Sequence, residues 1–247
     1  MARVSFASLR TPERCAEHDP GAGFGKRMRI FAARWVRIVL LAASLAALAV
    51  ELEIITEAQI AKLAQQFGPI AKNRLTGWRG ILITPKNKSL AEREKLELVN
   101  DFMNQTEFVS DLQHWGKEDY WATPIEFLST MGGDCEDFSI AKYFTLRALG
   151  VPADKLRITY VKELVIYNEA HMVLAYFPTP DAEPLILDNI NRSIRPASTR
   201  TDLLPVYSFN GSGLWLAKEQ TGRGQSVGGS DRIGHWRDLQ ARLRSAM

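Results

Sequence analysis

The stretch that decides the fold is Gly132-Gly-Asp-Cys-Glu-Asp-Phe-Ser-Ile-Ala-Lys-Tyr-Phe-Thr-Leu-Arg-Ala-Leu-Gly150, followed after Val151-Pro152 by a change of pattern. Gly132-Gly133 interrupts whatever precedes it, and Asp134 is a residue type that caps helices. The spacing predicts a helix from there to Leu149, ended by Gly150 and Pro152. Phe138, Ala141, Phe144 and Leu149 share its apolar face, which belongs in the core. Beyond Pro152 the chain reads as strands: Leu156–Leu164, His171–Phe177, Leu185–Asp188, Val206–Asn210 and Leu214–Ala217, all rich in β-branched and aromatic residues. Upstream, residues 56–67 read as a helix stopped by Gly68-Pro69, and residues 70–88 as a connecting segment. Ser89 is placed to cap a helix through about Gln105, with Glu92 completing a capping box. A short helix from Thr123-Pro124 to Met131 precedes the glycine pair. Helices first and a largely antiparallel sheet afterwards make the class α+β. There is no internal repeat.

The chain has 247 residues, 46% hydrophobic and 24% charged, with a formal net charge of +3. That composition excludes a disordered, collagenous or polytopic membrane protein. The charge must be read by region. Residues 38–50, IVLLAASLAALAV, are too short to span a bilayer. They follow Lys26, Arg27, Arg29, Arg34 and Arg37 and end on Ala47-Leu48-Ala49, the pattern of a cleaved secretory signal peptide. Residues 1–49 are therefore expected to be a leader, with an uncleaved N-terminal anchor or a buried helix as the alternatives, and Met28 would begin a leader of ordinary length. The leader holds eight Lys/Arg and three Asp/Glu, leaving 23 basic and 25 acidic residues in the rest of the chain. A mature protein of net charge −2 gives no reason to expect a nucleic-acid partner. Residues 50–217 form the expected domain. Residues 218–247 are expected to be a Gly/Ser-rich flexible linker and a weakly amphipathic C-terminal helix with Ile233, Trp236, Leu239 and Leu243.

Of the two cysteines, Cys15 falls in the leader, so Cys135 would meet an oxidising compartment alone. At the first position of a helix its sulfur faces backbone N–H groups and the positive end of the dipole, which favours thiolate. Three histidines remain outside the leader: His114, His171 and His235. If residues 178–181 form a four-residue hairpin loop, paired residue numbers sum to 359 and His171 lies opposite Asp188. A carboxylate there would orient the imidazole. The spacing thus points to a Cys135–His171–Asp188 site. Taken singly, a buried cysteine, a strand histidine and a strand-end aspartate each have a plain structural explanation.

Asp134, Glu136 and Asp137 crowd three carboxylates into one turn, where they oppose ionisation of Cys135. A hard cation would relieve this, and calcium suits oxygen ligands outside the cytosol. Ordinary capping by solvated acids accounts for the same residues. The motif is no EF-hand, and no His/Cys cluster points to zinc.

Thr123-Pro-Ile-Glu-Phe-Leu128, Gly133-Asp-Cys-Glu-Asp-Phe138, Ala141-Lys-Tyr-Phe-Thr-Leu146, Ala170-His-Met-Val-Leu174 and Leu187-Asp-Asn189 together resemble the bacterial transglutaminase-like cysteine proteinases, and among them the periplasmic adhesin proteases. The resemblance covers roughly residues 55–217. It implies a papain-like, transglutaminase-type core with the order Cys135, His171, Asp188, and calcium dependence with Asp134 and Glu136 as ligands. It also implies a substrate, the N-terminal region of a large surface adhesin cut beside a di-alanine site. A further implication is an inhibitory partner, an inner-membrane cyclic di-GMP receptor of the LapD type. Still open at this level are a periplasmic peptidoglycan amidase, a true transglutaminase, and a binding module with an inert thiol.

Overall fold

The protein is described here by a computed structural model covering residues 54–166, 168–217 and 224–245, all within the unit Leu48–Met247. The leader expected over residues 1–49 lies outside the described residues, as does the start of the expected linker. Among the described residues no helix is long and apolar enough to cross a membrane.

Helix α1 (Glu57–Phe67) starts at Thr56, whose hydroxyl accepts the N–H of Gln59 while the Gln59 side chain accepts the N–H of Thr56. Gly68, at φ 87°, turns the corner. Pro69 does not end the helical region. It opens α2 (Pro69–Ile83), which replaces the connecting segment expected over 70–88. Proline at the first helical position costs no hydrogen bond. Ala71, Leu75, Trp78 and Leu82 recur at helical spacing and are buried. Gly77 and Gly80 mask this pattern, and Gly77 lies close to Phe102: a Cβ there would be 3.3 Å from the ring.

A short α3 (Pro85–Ser89) follows, then α4 (Glu92–Met103). Here the expected capping box shifts by two residues. Ser89 closes α3 by donating to the Lys86 carbonyl, and the Glu94 carboxylate accepts the Ala91 N–H at 2.9 Å. Glu92 is instead drawn to Lys155 at 2.7 Å and to the Tyr176 hydroxyl, so tertiary partners override the local motif.

Strand β1 (Glu107–Phe108), helix α5 (Asp111–Trp115) and helix α6 (Pro124–Thr130) come next. The last of these has the expected Thr123 cap and a capping box with Glu126. Gly132–Gly133 is more than a breaker. It forms β2, paired in parallel with β1. Helix α7 (Cys135–Ala148) runs as expected, except that the Asp134 side chain makes no capping hydrogen bond.

The strands are β3 (Leu156–Glu163), β4 (Ala170–Tyr176), β5 (Leu185–Leu187), β6 (Arg195–Pro196), β7 (Leu203–Phe209), β8 (Leu214–Leu216) and β9 (Gln225–Gly228). They form one antiparallel sheet in the order β6-β5-β4-β3-β7-β8-β9. Strand β9 occupies part of the segment expected to be a flexible linker.

Helix α7 packs on β4 and β3, with α4 and α6 against it. Every residue from Asp137 to Leu146 is buried, so α7 is the central helix and not an amphipathic one. Two of its polar side chains find partners inside the protein. Trp78 Nε1 donates to Thr145 Oγ1 at 2.9 Å, and Lys142 Nζ donates to the Asp188 carbonyl at 3.0 Å.

Helix α8 (Gly234–Ser245) is part of this core and not an appendage. Trp236 is fully buried, stacks on Phe144 and meets Tyr143 and Phe209 edge-on. Trp236→Ala should therefore destabilise the protein by about 3–5 kcal/mol, seen as a lowered urea midpoint. An unchanged midpoint would place α8 outside the cooperative unit.

Candidate active site and cation site

The β4–β5 register differs from the expected one. Leu174 pairs with Leu187 and Tyr176 with Leu185, so paired numbers sum to 361. The connection is longer than four residues, because Phe177 still bonds to Lys155 and Ala182 turns back on Thr179. The slip is by two residues, which preserves the face. His171 and Asp188 become diagonal neighbours, still within reach of side chains. Their contact is formed, with His171 Nε2 2.9 Å from Asp188 Oδ1.

Asp188 is held from all sides. Its Oδ1 also accepts the Ile190 N–H at 3.0 Å, and its Oδ2 accepts from the Arg200 guanidinium at 2.7 Å. Its main-chain carbonyl accepts from Asn104 at 2.9 Å and Lys142 at 3.0 Å. Burial alone would raise the Asp188 carboxyl, but His171, the Ile190 N–H and Arg200 together hold it well below the usual carboxylate range. Burial also pushes Lys142 down to about 7. Asn104, Lys142 and Arg200 were not singled out from the sequence. Lys142 carried a signal, since it lies two turns after Cys135 on a helix otherwise filled by core residues.

Cys135 and His171 line one cleft of about 570 Å³, with Phe108, Ser110, Glu163, Glu169, Asn189 and Ile190. The thiol is half-buried and unpaired by any disulfide. The backbone of Met172, next to His171, acts to lower the thiol pKa. The thiol itself donates to Glu136 Oε2 at 3.0 Å. Burial pushes the thiol well up, and Glu136 and Asp134 push it further. The other two histidines lie elsewhere. His114 bonds to Thr130 at 2.7 Å, and His235 pairs with Asp119 at 3.2 Å.

The acids beside Cys135 draw in partners from two other segments. Asp111, Asp134 and Asp137 place carboxylate oxygens within 4.8 Å of one another, as do Asp111, Asp119 and Glu136. Asp134 and Glu136, the two expected ligands, thus fall in different groupings joined by Asp111. Asp111 Oδ1, Asp134 Oδ1 and Asp137 Oδ2 are buried without a hydrogen-bond partner. Three orphaned oxygens converging in one place fit a hard cation with oxygen ligands. Burial pushes all three carboxyls up, and mutual repulsion adds to it.

The loop that completes the cluster is held rigidly. The Ala122 N–H donates to Asp137 at 2.7 Å, and the Tyr120 N–H donates to Asp111. Arg242 of α8 binds the Trp121 carbonyl, Glu126 and the Tyr120 hydroxyl. Gly133 is glycine because a Cβ there would lie 2.8 Å from the Phe127 ring and would strike Asp137.

Chemically, a thiol, an imidazole in the same cleft and a carboxylate on that imidazole can perform nucleophilic acyl transfer. The depressed Asp188 carboxyl makes a stability prediction. It contributes stability above about pH 4, the unfolded value, that is lost as pH falls towards the native value. The urea-measured gap between wild type and Asp188→Asn should therefore be widest near neutrality and shrink as pH drops from about 5 to about 2. A gap independent of pH would mean that the native carboxyl is not depressed.

Comparison with known proteins places the chain among cysteine proteinases. The family model of the bacterial transglutaminase-like cysteine proteinases matches residues 83–221. Among solved structures, EGTA-treated LapG of Legionella pneumophila is 46% identical with a TM-score of 0.66, covering 77% of this chain and 98% of that one. Calcium-bound LapG of the same organism is 46% identical with a TM-score of 0.64, covering 76% of this chain and 99% of that one. Among curated proteins, none matches.

Proposed function

The chain belongs to the bacterial transglutaminase-like cysteine proteinases and is a cysteine protease, and from that premise we propose that it is a calcium-dependent endopeptidase of the periplasm using Cys135, His171 and Asp188. The observation that carries the reading is the placement of Cys135, at the start of α7, in one cleft with His171, which is itself held by Asp188.

His171 takes the thiol proton and Asp188 stabilises the resulting imidazolium. The thiolate attacks the scissile carbonyl, and the oxyanion forms beside the first turn of α7, where the Cys135 N–H points outward. His171 then gives its proton to the leaving amine. It next draws a proton from water, which attacks the acyl-enzyme, and the thiol is regenerated.

Asp111, Asp134 and Asp137 would hold calcium, with Asp119 and Glu136 completing the acidic shell. When bound, the ion supplies positive charge next to a thiol that these acids otherwise keep protonated. The support is the set of orphaned oxygens and the likeness to a LapG solved with calcium.

The substrate we propose is the N-terminal region of a large surface adhesin, cut beside a di-alanine site, so that cleavage releases the adhesin and disperses a biofilm. An inner-membrane cyclic di-GMP receptor would sequester the protease. These steps rest on the motif resemblance and on the 46% identity to LapG. The leader-like residues 26–49 support export to the periplasm.

The test is cleavage of a purified adhesin N-terminal fragment. Wild type with calcium should cut it, while Cys135→Ala, or wild type in chelator, should leave it intact. Transfer to amines, or preference for cell-wall peptides, would favour a transglutaminase or an amidase. Retained function in Cys135→Ala would favour a binding module. Separately, calcium should raise the melting temperature of wild type, and Asp111→Asn with Asp137→Asn should remove that rise. An undiminished rise in the double variant would move the site elsewhere.

A further inference from the structure

Asp188 needs its carboxylate plane fixed if it is to hold His171 in one tautomer and orientation. The contacts to its main-chain carbonyl, from Asn104 and Lys142, fix the backbone but leave the side-chain torsion free. On the carboxylate itself, Oδ1 accepts from the Ile190 N–H and meets His171 Nε2, which hold one of its two oxygens. The remaining restraint is on Oδ2, where Arg200 donates at 2.7 Å.

Arg200 sits just after the short helical turn Ala197–Thr199 that follows β6, and its side chain is 2% exposed. It is itself held by Asp202, with Nε 2.9 Å from Oδ1 and Nη2, the nitrogen that also reaches Asp188, 2.6 Å from Oδ2. Asp202 is much more exposed than Asp188. A guanidinium needed only for structure could meet Asp202 at the surface and avoid the cost of burial. Here it is drawn inward to bridge both carboxylates. The planar fork makes this bridge possible, since a lysine offers one point charge on a flexible stem.

We infer that Arg200 is a positioning residue of the active site: by gripping Asp188 Oδ2 and being gripped by Asp202, it sets the plane of the carboxylate that orients His171. The inference rests on the Cys135–His171–Asp188 reading. It adds a fourth side chain that never touches substrate and acts only through Asp188.

The experiment compares wild type, Arg200→Met, Arg200→Lys and His171→Ala in the full chain. Activity on the adhesin fragment is normalised to the total thiol titrated by iodoacetamide after denaturation, on protein that circular dichroism and a cooperative urea transition show to be folded. Arg200→Met should lower kcat per thiol by about 10- to 100-fold, as a small misplacement near the reacting atoms does, with KM changed less than about twofold. Arg200→Lys should recover part of kcat. Proton NMR should show the downfield His171 ring N–H signal in wild type and its loss in Arg200→Met. If Arg200→Met fails to fold, Arg200→Lys decides alone, and normal kcat per thiol with an intact downfield signal would overturn the inference. The same result in a folded Arg200→Met would overturn it too. An active His171→Ala would instead bring down the triad, and this inference with it, so the two failures are told apart.

Discussion

From Asp137 to Leu146 no residue of α7 reaches solvent, and this burial imposes the architecture around it. A helix with no exposed side must be enclosed by a sheet on one face and helices on the others. Strands β3 and β4 supply the sheet face, and α4, α6 and Trp236 of α8 close the rest. Enclosure fixes the helix axis, and the axis fixes where its first residue emerges. Cys135 lies at the one end of α7 that reaches a cleft, with His171 brought alongside by the strand that packs on the same helix. Core packing thus places Cys135 and His171, which stand on a helix and a strand.

The acids at that end of α7 look like a fault if considered by packing alone. Three buried carboxylate oxygens without partners, next to a thiol that must ionise, work against both stability and reactivity. Yet the surroundings are built to keep them converged. The N–H groups of Tyr120 and Ala122 hold Asp111 and Asp137, and Arg242 ties that loop to α8. Gly133 leaves room for Asp137 that any side chain would take. A protein that secures repelling charges this firmly has a use for them together, and binding a cation is the use that removes the penalty.

Much of this was legible in the sequence, and the misses share a cause. Helix α7, its end at Gly150, and the five main strands follow from local patterns of turn residues and periodicity. The three residues Cys135, His171 and Asp188 were reachable because each sits where a local rule placed it, at a helix start or on one hairpin face. The hairpin register was off by two, but parity survives such a slip, so the facing of His171 and Asp188 survived with it. What local rules could not show depended on distant partners. Glu92 left its capping role for Lys155, and α2 hid behind Gly77 and Gly80. Strand β9 formed in a Gly/Ser-rich segment because β8 offered it an edge. Asp111 and Asp119 join the acids of α7 only through the fold, and nothing in their own neighbourhoods marks them.

The same division explains how Asp188 is held. Its link to His171 is short in sequence and spans one hairpin, whereas Asn104, Lys142 and Arg200 reach it from α4, α7 and the segment after β6. Three elements thus converge on one residue that sits just past the end of β5, where the sheet no longer restrains it. A strand end would ordinarily be the least fixed part of a sheet, since the ladder stops there. Converging donors replace the missing ladder. Arg200, the donor that meets the carboxylate itself, favours its ionised form inside the protein, and that state is the one an imidazolium requires. Catalytic orientation and the burial of charge are accordingly a single problem here, solved by one set of contacts.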